Sequence, residues 1–186
     1  GNSLAEKYGV NKITVEDFKA LGKLNVRDKC KKLGIPLYKV PKIAIEILEK
    51  FYHHADELHL VEGIRDTIIK LKEYGYQLGI ISSNSSPNIE KFLKSVDMNF
   101  FDCIQCAPGI FGKHHAINKF LKNMNLYKEH VIYIGDELRD IVSCKKSRVK
   151  VIAVTWGYDS VELLSTGNPD FLANNPHEII GFVQGA

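Results

Sequence analysis

The sequence lacks long hydrophobic runs, a strong excess of either charge, and a dense set of cysteines. No apolar stretch approaches the ~20 residues of a membrane span and no signal-peptide pattern is present, so no membrane partner is expected. The net charge is only +3 and no basic run alternates with aromatic residues, so no nucleic-acid partner is expected. Four cysteines in 186 residues do not make a disulfide framework, which favours a cytoplasmic protein.

The sequence does contain enough apolar material for a core. It is 45% hydrophobic, and its length predicts one domain with an appendage. Cys103 and Cys106 form a single C-x-x-C pair in a strand-like run at residues 101–106. Because side chains three apart in a strand point to opposite faces, we interpret both as buried structural cysteines.

The first third of the chain has helical patterns and no strand pattern. Thr14 and Asp17 form a weak capping box for a helix over residues 15–21, and Asn25 is a candidate cap for a second helix that ends at Gly34. A longer helix with a broad apolar face follows two prolines, at positions 36 and 41. Residues 11–57 are therefore predicted to form a small helical bundle.

From residue 58 onward, predicted helices and strands alternate. The predicted strands are 78–81, 101–106, 131–134, 149–154 and, at an edge, 170–172. The predicted helices are 64–74, 88–95, 112–124, 137–147, 159–164 and 176–183, with Ile141, Val142 and Cys144 on the inward face of the fourth. This alternation is typical of an α/β fold with a doubly wound parallel sheet.

Polar side chains follow three of the predicted strands. Ser82 and Ser83 begin one helix, Lys113 begins the next, and Asp136 and Asp140 lie one helical turn apart after a buried strand. Carboxyl ends of parallel strands share one edge of a sheet, where ligands bind. Hydroxyls and helix N–H groups bind phosphate, a lysine neutralises it, and paired carboxylates suit Mg²⁺.

Each of these features also has a plain structural explanation. Serine-rich turns are common, and a lysine at a helix start is usually solvated. An acidic first turn is favoured by the helix dipole whether or not a metal is bound. It is the occurrence of all three features at strand ends, in this order, that favours a phosphate site.

Four segments resemble the haloacid dehalogenase superfamily of phosphatases, in its phosphoglycolate-phosphatase-like branch. They are L-G-I-I-S-S-N at 78–84, F-G-K at 111–113, G-D-E-L-R-D at 135–140 and V-T-W-G-Y at 154–158. The resemblance implies a haloacid dehalogenase-like, Rossmann-like sheet at 58–186. It also implies that residues 1–57 are the small helical cap that selects substrate and excludes water.

The resemblance also implies roles for six residues and an activity. Ser82 would hold the phosphoryl group with Ser83 and Asn84 beside it, and Lys113 would span nucleophile and phosphate. The site also has two acids: Asp136 would be an Mg²⁺ ligand, and Asp140 would support it at the metal site. The implied activity is Mg²⁺-dependent hydrolysis of a small phosphorylated metabolite. The alternative is an inactive relative that serves as a phosphate-binding, ligand-binding or interaction module.

The sequence departs from the family in its first motif. That motif is a central strand ending in Asp-x-Asp, whose first aspartate attacks phosphorus and whose second acts as acid and base. No Asp-x-Asp occurs here, and the chain begins Gly1-Asn2 without methionine, so we expect a missing upstream segment and an inert chain as given. We expect the resulting gap to be filled by a rearranged segment, a strand from another copy in self-association, or direct pairing of its two flanks.

Overall fold

The structure is a computed structural model of the 186-residue chain. It describes residues 26–53, 58–106 and 113–186 continuously, together with residues 7, 8, 14, 17, 21 and 24. The candidate cap Asn25, most of the predicted helix over residues 15–21 and residues 107–112 lie outside this description.

The described part of the first third is helical, as predicted. Helix α1 is Val26–Leu33, a 3₁₀ turn is Leu37–Lys39, and helix α2 is Val40–His53. Gly34 follows α1 with φ of 68°, a left-handed conformation that suits glycine and ends the helix. The predicted capping box is formed: the Asp17 amide donates to Thr14 Oγ1 at 3.0 Å, and the Thr14 amide donates to Asp17 Oδ2 at 3.1 Å.

From residue 58 the described chain alternates helix and strand. The strands are β1 Gly79–Ser82, β2 Cys103–Cys106, β3 Ile132–Gly135, β4 Lys150–Val154 and β5 Phe171–Ala173. The helices are α3 Ile64–Glu73, α4 Ser86–Ser95, α5 Lys113–Asn123, α6 Leu138–Ser147, α7 Val161–Thr166 and α8 Glu178–Gln184. Their order is the predicted one, and no bound differs from its prediction by more than two residues.

All described strand pairs are parallel, but they form two sheets. Strand β1 pairs with β2, and β4 pairs with β3 on one side and β5 on the other. Strand β5 is therefore the edge strand that the sequence predicted.

Strand β4 shows why the fold is doubly wound. Val151 and Ala153 pack in one cluster with helices α5, α6 and α7, whereas Ile152 and Val154 pack in another with α3 and α8. All four side chains are buried. A strand covered on both faces has no polar alternation, which is why residues 149–154 have an unbroken apolar pattern.

Helices α3 and α5 each pack against both sheets. Helix α3 contributes Leu71 to the cluster on β4 and Ile68 to the cluster on β1 and β2. On the opposite face, α5 contacts β1, β2 and α6. Its Phe120 lies so close to β1 that a Cβ at Gly79 would be 2.5 Å from the ring. Side-chain packing on these two helices therefore connects the two sheets.

Among the described strands, β1 pairs only with β2, and β3 pairs only with β4; we call the two remaining strand edges the β1/β3 gap. These two strands are not hydrogen-bonded to each other, so the prediction that the flanks pair directly is wrong. Ile134 of β3 is 42% exposed, although β4 beside it is almost fully buried. Within the described residues no strand pairs with both edges. That a rearranged segment or a strand from another copy fills the β1/β3 gap stays a prediction.

The structure differs from three further expectations. Val142 is 43% exposed rather than inward, because it lies outside the buried face of α6, which is formed by Asp140, Ile141, Ser143, Cys144 and Ser147. Cys103 and Cys106 are half-buried rather than buried. Helix α7 was expected to begin at Asp159 but begins after Ser160, whose Oγ accepts the Leu163 amide and fixes the start.

No helix within the described ranges is long and apolar enough to cross a bilayer.

Candidate functional site

The turn between β3 and α6 holds the first acidic group. Asp136 follows the last residue of β3, and its Oδ2 accepts the Tyr158 amide at 2.8 Å. Its backbone carbonyl accepts the Asp159 amide at 3.1 Å. The loop after β4 therefore fixes both the side chain and the main chain of Asp136.

The second acid, Asp140, is paired with the predicted lysine. Lys113, the first residue of α5, makes an ion pair with Asp140 Oδ1, and the two side chains are only 15% and 3% exposed. Burial alone would lower the pKa of Lys113, but attraction to Asp140 and Tyr133 outweighs it and the pKa of the lysine is raised. The site therefore contains a positive charge at the start of a helix at neutral pH.

Two glycines allow the carboxylates to lie where they do. A Cβ at Gly135 would be 2.5 Å from Asp140 Oδ2, and a Cβ at Gly157 would overlap the Asp136 side chain. These close approaches explain the glycine directly before Asp136 and the glycine in the segment at 154–158. Neither glycine needs a left-handed backbone here; each is required for space.

The hydroxyl side of the site lies at the end of β1. Ser82 is the last residue of that strand, and its Oγ accepts the Asn84 amide at 3.1 Å. Asn84 Oδ1 in turn accepts the Ser85 amide and the Asn88 side-chain amide. This folded turn delivers the chain into α4, with Ser83 half-buried between the two bonded residues.

The structure brings some predicted residues into contact and leaves others merely adjacent. Lys113 and Asp140 touch, and Asp136 lies in the turn that leads into α6, whose first helical turn contains Asp140. Ser82 is connected to them through packing: α5, which begins at Lys113, contacts both β1 and α6. The polar contacts given for Ser82 in the described chain are local ones.

The described residues do not form a complete metal site. Within the described ranges, no group of three or more His, Cys, Asp or Glu side chains is placed to hold an ion. Asp136 offers a carboxylate of the kind Mg²⁺ prefers, with one oxygen already bonded to the Tyr158 amide. Asp140 contacts Lys113, so direct metal binding by Asp140 stays a prediction.

Sequence reasoning missed Asp159. It was expected at the start of a helix, but it is 5% exposed and its Oδ2 accepts the Leu138 amide at 2.8 Å, at the start of α6. Ser160, and not Asp159, is the N-cap of α7, and no local sequence pattern distinguishes the two, because serine and aspartate are about equally good caps.

With this geometry in place, comparison with known proteins is informative. The haloacid dehalogenase-like hydrolase family matches residues 1–154. This chain belongs to that family. The sequence-based recognition of the phosphoglycolate-phosphatase-like branch is confirmed.

Relatives of this hydrolase family member include two kinds of curated phosphatase. A phosphoglycolate phosphatase of Synechococcus elongatus is 26% identical over 96% of this chain and 85% of its own length. The pyrophosphatase PpaX of Bacillus anthracis is 26% identical over 69% of this chain and 61% of its own length.

Solved structures give the same fold. A predicted phosphatase from Clostridium acetobutylicum superimposes with a TM-score of 0.81 at 19% identity, covering 97% of this chain and 87% of that one. A haloacid dehalogenase-like hydrolase from Streptococcus pneumoniae gives 0.78 at 21% identity, covering 96% and 85%. At these identities the likeness shows the α/β fold of the family member and nothing about its substrate.

Proposed function

We propose that this protein is the larger part of a Mg²⁺-dependent phosphatase that hydrolyses a small phosphomonoester, similar to phosphoglycolate phosphatases. The observation that carries the proposal is the buried Lys113–Asp140 ion pair, whose acid lies in the first turn of α6, directly after the turn at the end of β3 that contains Asp136. A cation held by one acid next to a second acid suits a phosphate and its counter-ion, because catalysis of phosphoryl transfer is mainly positioning and charge stabilisation.

Lys113 is assigned to the phosphate. Its ammonium carries three hydrogens, and the bond to Asp140 uses one of them. The remaining hydrogens can donate to phosphate oxygens and to the attacking carboxylate. The buried Asp140 fixes the direction of the side chain, so little conformational entropy is lost when the substrate binds.

Ser82, Ser83 and Asn84 are assigned to the phosphoryl oxygens. Because Ser82 Oγ accepts the Asn84 amide, its hydroxyl hydrogen can turn outward to donate. Helix α4 begins two residues after Asn84, and the unpaired amides of a helix N-terminus attract an anion. These donors would hold the transferring group while its charge is redistributed.

Asp136 is assigned to Mg²⁺, with Asp140 as the supporting acid of the metal site. The ion would neutralise phosphate charge when bound. Its remaining ligands would come from the substrate, from water and from a carboxylate outside the described residues, since Mg²⁺ commonly keeps several such ligands.

The nucleophile is assigned to a segment that the given sequence does not contain. We propose that a central strand ending in Asp-x-Asp occupies the β1/β3 gap and so completes the sheet. Its first carboxylate would bond to phosphorus as the ester P–O bond breaks, and its second would protonate the leaving oxygen. The open edges of β1 and β3 support this placement, because buried backbone groups are normally paired.

The domain assignment follows the same reasoning. We propose that residues 1–57 are a helical cap that selects the substrate and residues 58–186 are the catalytic core. All four cysteines are free thiols, which supports the proposed cytoplasmic setting.

The alternative is an inactive family member that binds a phosphorylated ligand or a partner. It is favoured by the lack, within the described part of the chain, of a third acidic ligand near Asp136. The two alternatives differ in whether the upstream reading frame of the gene encodes a strand ending in Asp-x-Asp.

The test is hydrolysis of p-nitrophenyl phosphate with Mg²⁺. We expect negligible turnover by the chain as given, and turnover once an upstream Asp-x-Asp segment from the gene is joined in frame. Replacing the first aspartate of that segment by asparagine should abolish the gain. Clear, Asp136-dependent hydrolysis by the given chain alone would contradict the proposal.

A further inference from the structure

A buried ion pair joins the first third of the chain to the loop after β4. Lys29 Nζ of α1 lies 2.9 Å from Asp159 Oδ1, and the two side chains are 12% and 5% exposed. The residues are 130 positions apart in sequence. An ion pair this buried is specific in geometry, because a displaced partner would leave an uncompensated charge.

The same ammonium also lies against an aromatic ring. Lys29 Nζ is 4.2 Å from the centroid of the Tyr158 ring, within the range of a cation–π contact. Two consecutive residues of the loop, Tyr158 and Asp159, therefore hold one lysine of α1 between a ring face and a carboxylate.

These two loop residues are the ones that position Asp136. The Tyr158 amide donates to Asp136 Oδ2, and the Asp159 amide donates to the Asp136 carbonyl. Asp159 Oδ2 also accepts the Leu138 amide at the start of α6. Every link from α1 to the Asp136 carboxylate is thus a direct contact.

We propose that Lys29 is a positioning residue that makes the geometry of Asp136 depend on the docking of α1. With α1 docked, Lys29 holds the loop at 158–159, and the loop holds Asp136 and the first turn of α6. When α1 moves away, Asp159 loses its counter-charge and the loop loosens. The inference rests on the proposed function only for the role of Asp136, since the coupling itself is a property of the fold.

The coupling predicts a selective change in backbone dynamics. In a Lys29→Met variant, we expect amide hydrogen exchange at Tyr158 and Leu138 to accelerate on the order of tenfold. The variant loses both the ion pair that fixes Asp159, the acceptor of the Leu138 amide, and the ring contact that fixes Tyr158. Exchange at Ile152, in the buried centre of β4, should stay unchanged. A Lys29→Arg variant should restore slow exchange, since arginine keeps both the charge and the ring contact.

The matched control is Lys31→Met, which removes an exposed lysine from the same helix. It should leave exchange at Tyr158 and Leu138 as in the wild type. An Asp159→Asn variant keeps an acceptor for the Leu138 amide but removes the charge. In that background, Lys29→Met should have a smaller effect on Tyr158 than in the wild type, because the ion pair is already lost and only the ring contact remains.

Three results would overturn the proposal. They are unchanged exchange at Tyr158 and Leu138 in Lys29→Met, an equal acceleration at Ile152, and additive effects of Lys29→Met and Asp159→Asn. Failure of the proposed function would look different. The wild-type protein would not bind inorganic phosphate, while Lys29→Met would still accelerate exchange at Tyr158 and Leu138.

Discussion

Lys113 and Asp140 lie 27 residues apart in sequence and form an ion pair that is nearly inaccessible to solvent. The lysine starts one helix and the aspartate lies in the first turn of another, so the pair also fixes α5 against α6. The contact connects the catalytic proposal with the stability of the core.

The first prediction concerns this ion pair. Asp140→Asn leaves the Lys113 charge buried without a counter-charge, and we expect a loss of about 3 kcal/mol in the free energy of unfolding. The measurement is urea denaturation of the wild type and variant. The double variant Lys113→Met/Asp140→Asn should recover much of the loss, because it removes both charges. Simple addition of the two single effects would show that the residues do not interact.

The second prediction compares two glycines. Gly157→Ala places a methyl group against the Asp136 side chain, and we expect it to lower the free energy of unfolding by about 1–3 kcal/mol and to shift the Tyr158 amide resonance. Gly181→Ala is the control, since nothing lies within 4 Å of its added methyl group. In helix α8 it should be neutral or stabilise by about 0.5–1 kcal/mol. Equal effects of the two substitutions would contradict the described packing.

These results bear on what sequence can predict. Strand β4 was predictable because its burial on both faces leaves an unbroken apolar run. The places of Lys113, Asp136 and Asp140 at or near helix starts were predictable from the strand patterns before them, and their roles stay a prediction. The inward placement of Val142 was wrong because it lies about 100° around the helix from Ile141, outside the narrow buried stripe.

The role of Asp159 could not be predicted in the same way. Its partners are Leu138, 21 residues away, and Lys29, 130 residues away. No local period or cap signals such contacts, which exist only once the helices have packed. The separation of β1 from β3 is likewise a tertiary property, since each strand is regular by itself.

The third prediction concerns Cys144. The side chain is fully buried, and burial together with nearby Asp140 raises the pKa of its thiol to about 12. We expect no alkylation of Cys144 by iodoacetamide at pH 8 in the folded protein, because the thiolate is the reactive form. The half-buried Cys103 and Cys106 should react first, as judged by mass spectrometry. Modification of Cys144 at the same rate as these two would contradict the packing.

The same pKa gives a fourth prediction, on alkaline stability. The pKa of Cys144 is higher in the folded state than the ordinary thiol value of 9.0, so above about pH 9 the unfolded chain binds fewer protons. The free energy of unfolding should therefore fall as pH rises from about 9 toward 12. A Cys144→Ala variant is expected to show a shallower decline over that range, measured by urea denaturation at each pH. If the free energy of unfolding falls equally steeply in the variant, titratable groups other than Cys144 cause the decline.

The fifth prediction concerns the β1/β3 gap. Amides of β1 and β3 that point into the gap should exchange faster than amides of β4, which is paired on both sides. Joining the upstream Asp-x-Asp segment should protect them, because backbone hydrogen bonds then form along both edges. Protection of both edges in the given chain at low concentration would show that another segment already fills the gap. Protection that rises with concentration would instead support pairing between copies.

The central claim is that Ser82, Lys113 and Asp136 serve one phosphate site, and an NMR titration with inorganic phosphate and Mg²⁺ tests it most directly. We predict that the amides of Asn84, Lys113 and Tyr158 shift along one common binding curve and that Lys113→Met removes the response at all three. Separate curves for the three amides, or a response that survives Lys113→Met unchanged, would contradict a shared site.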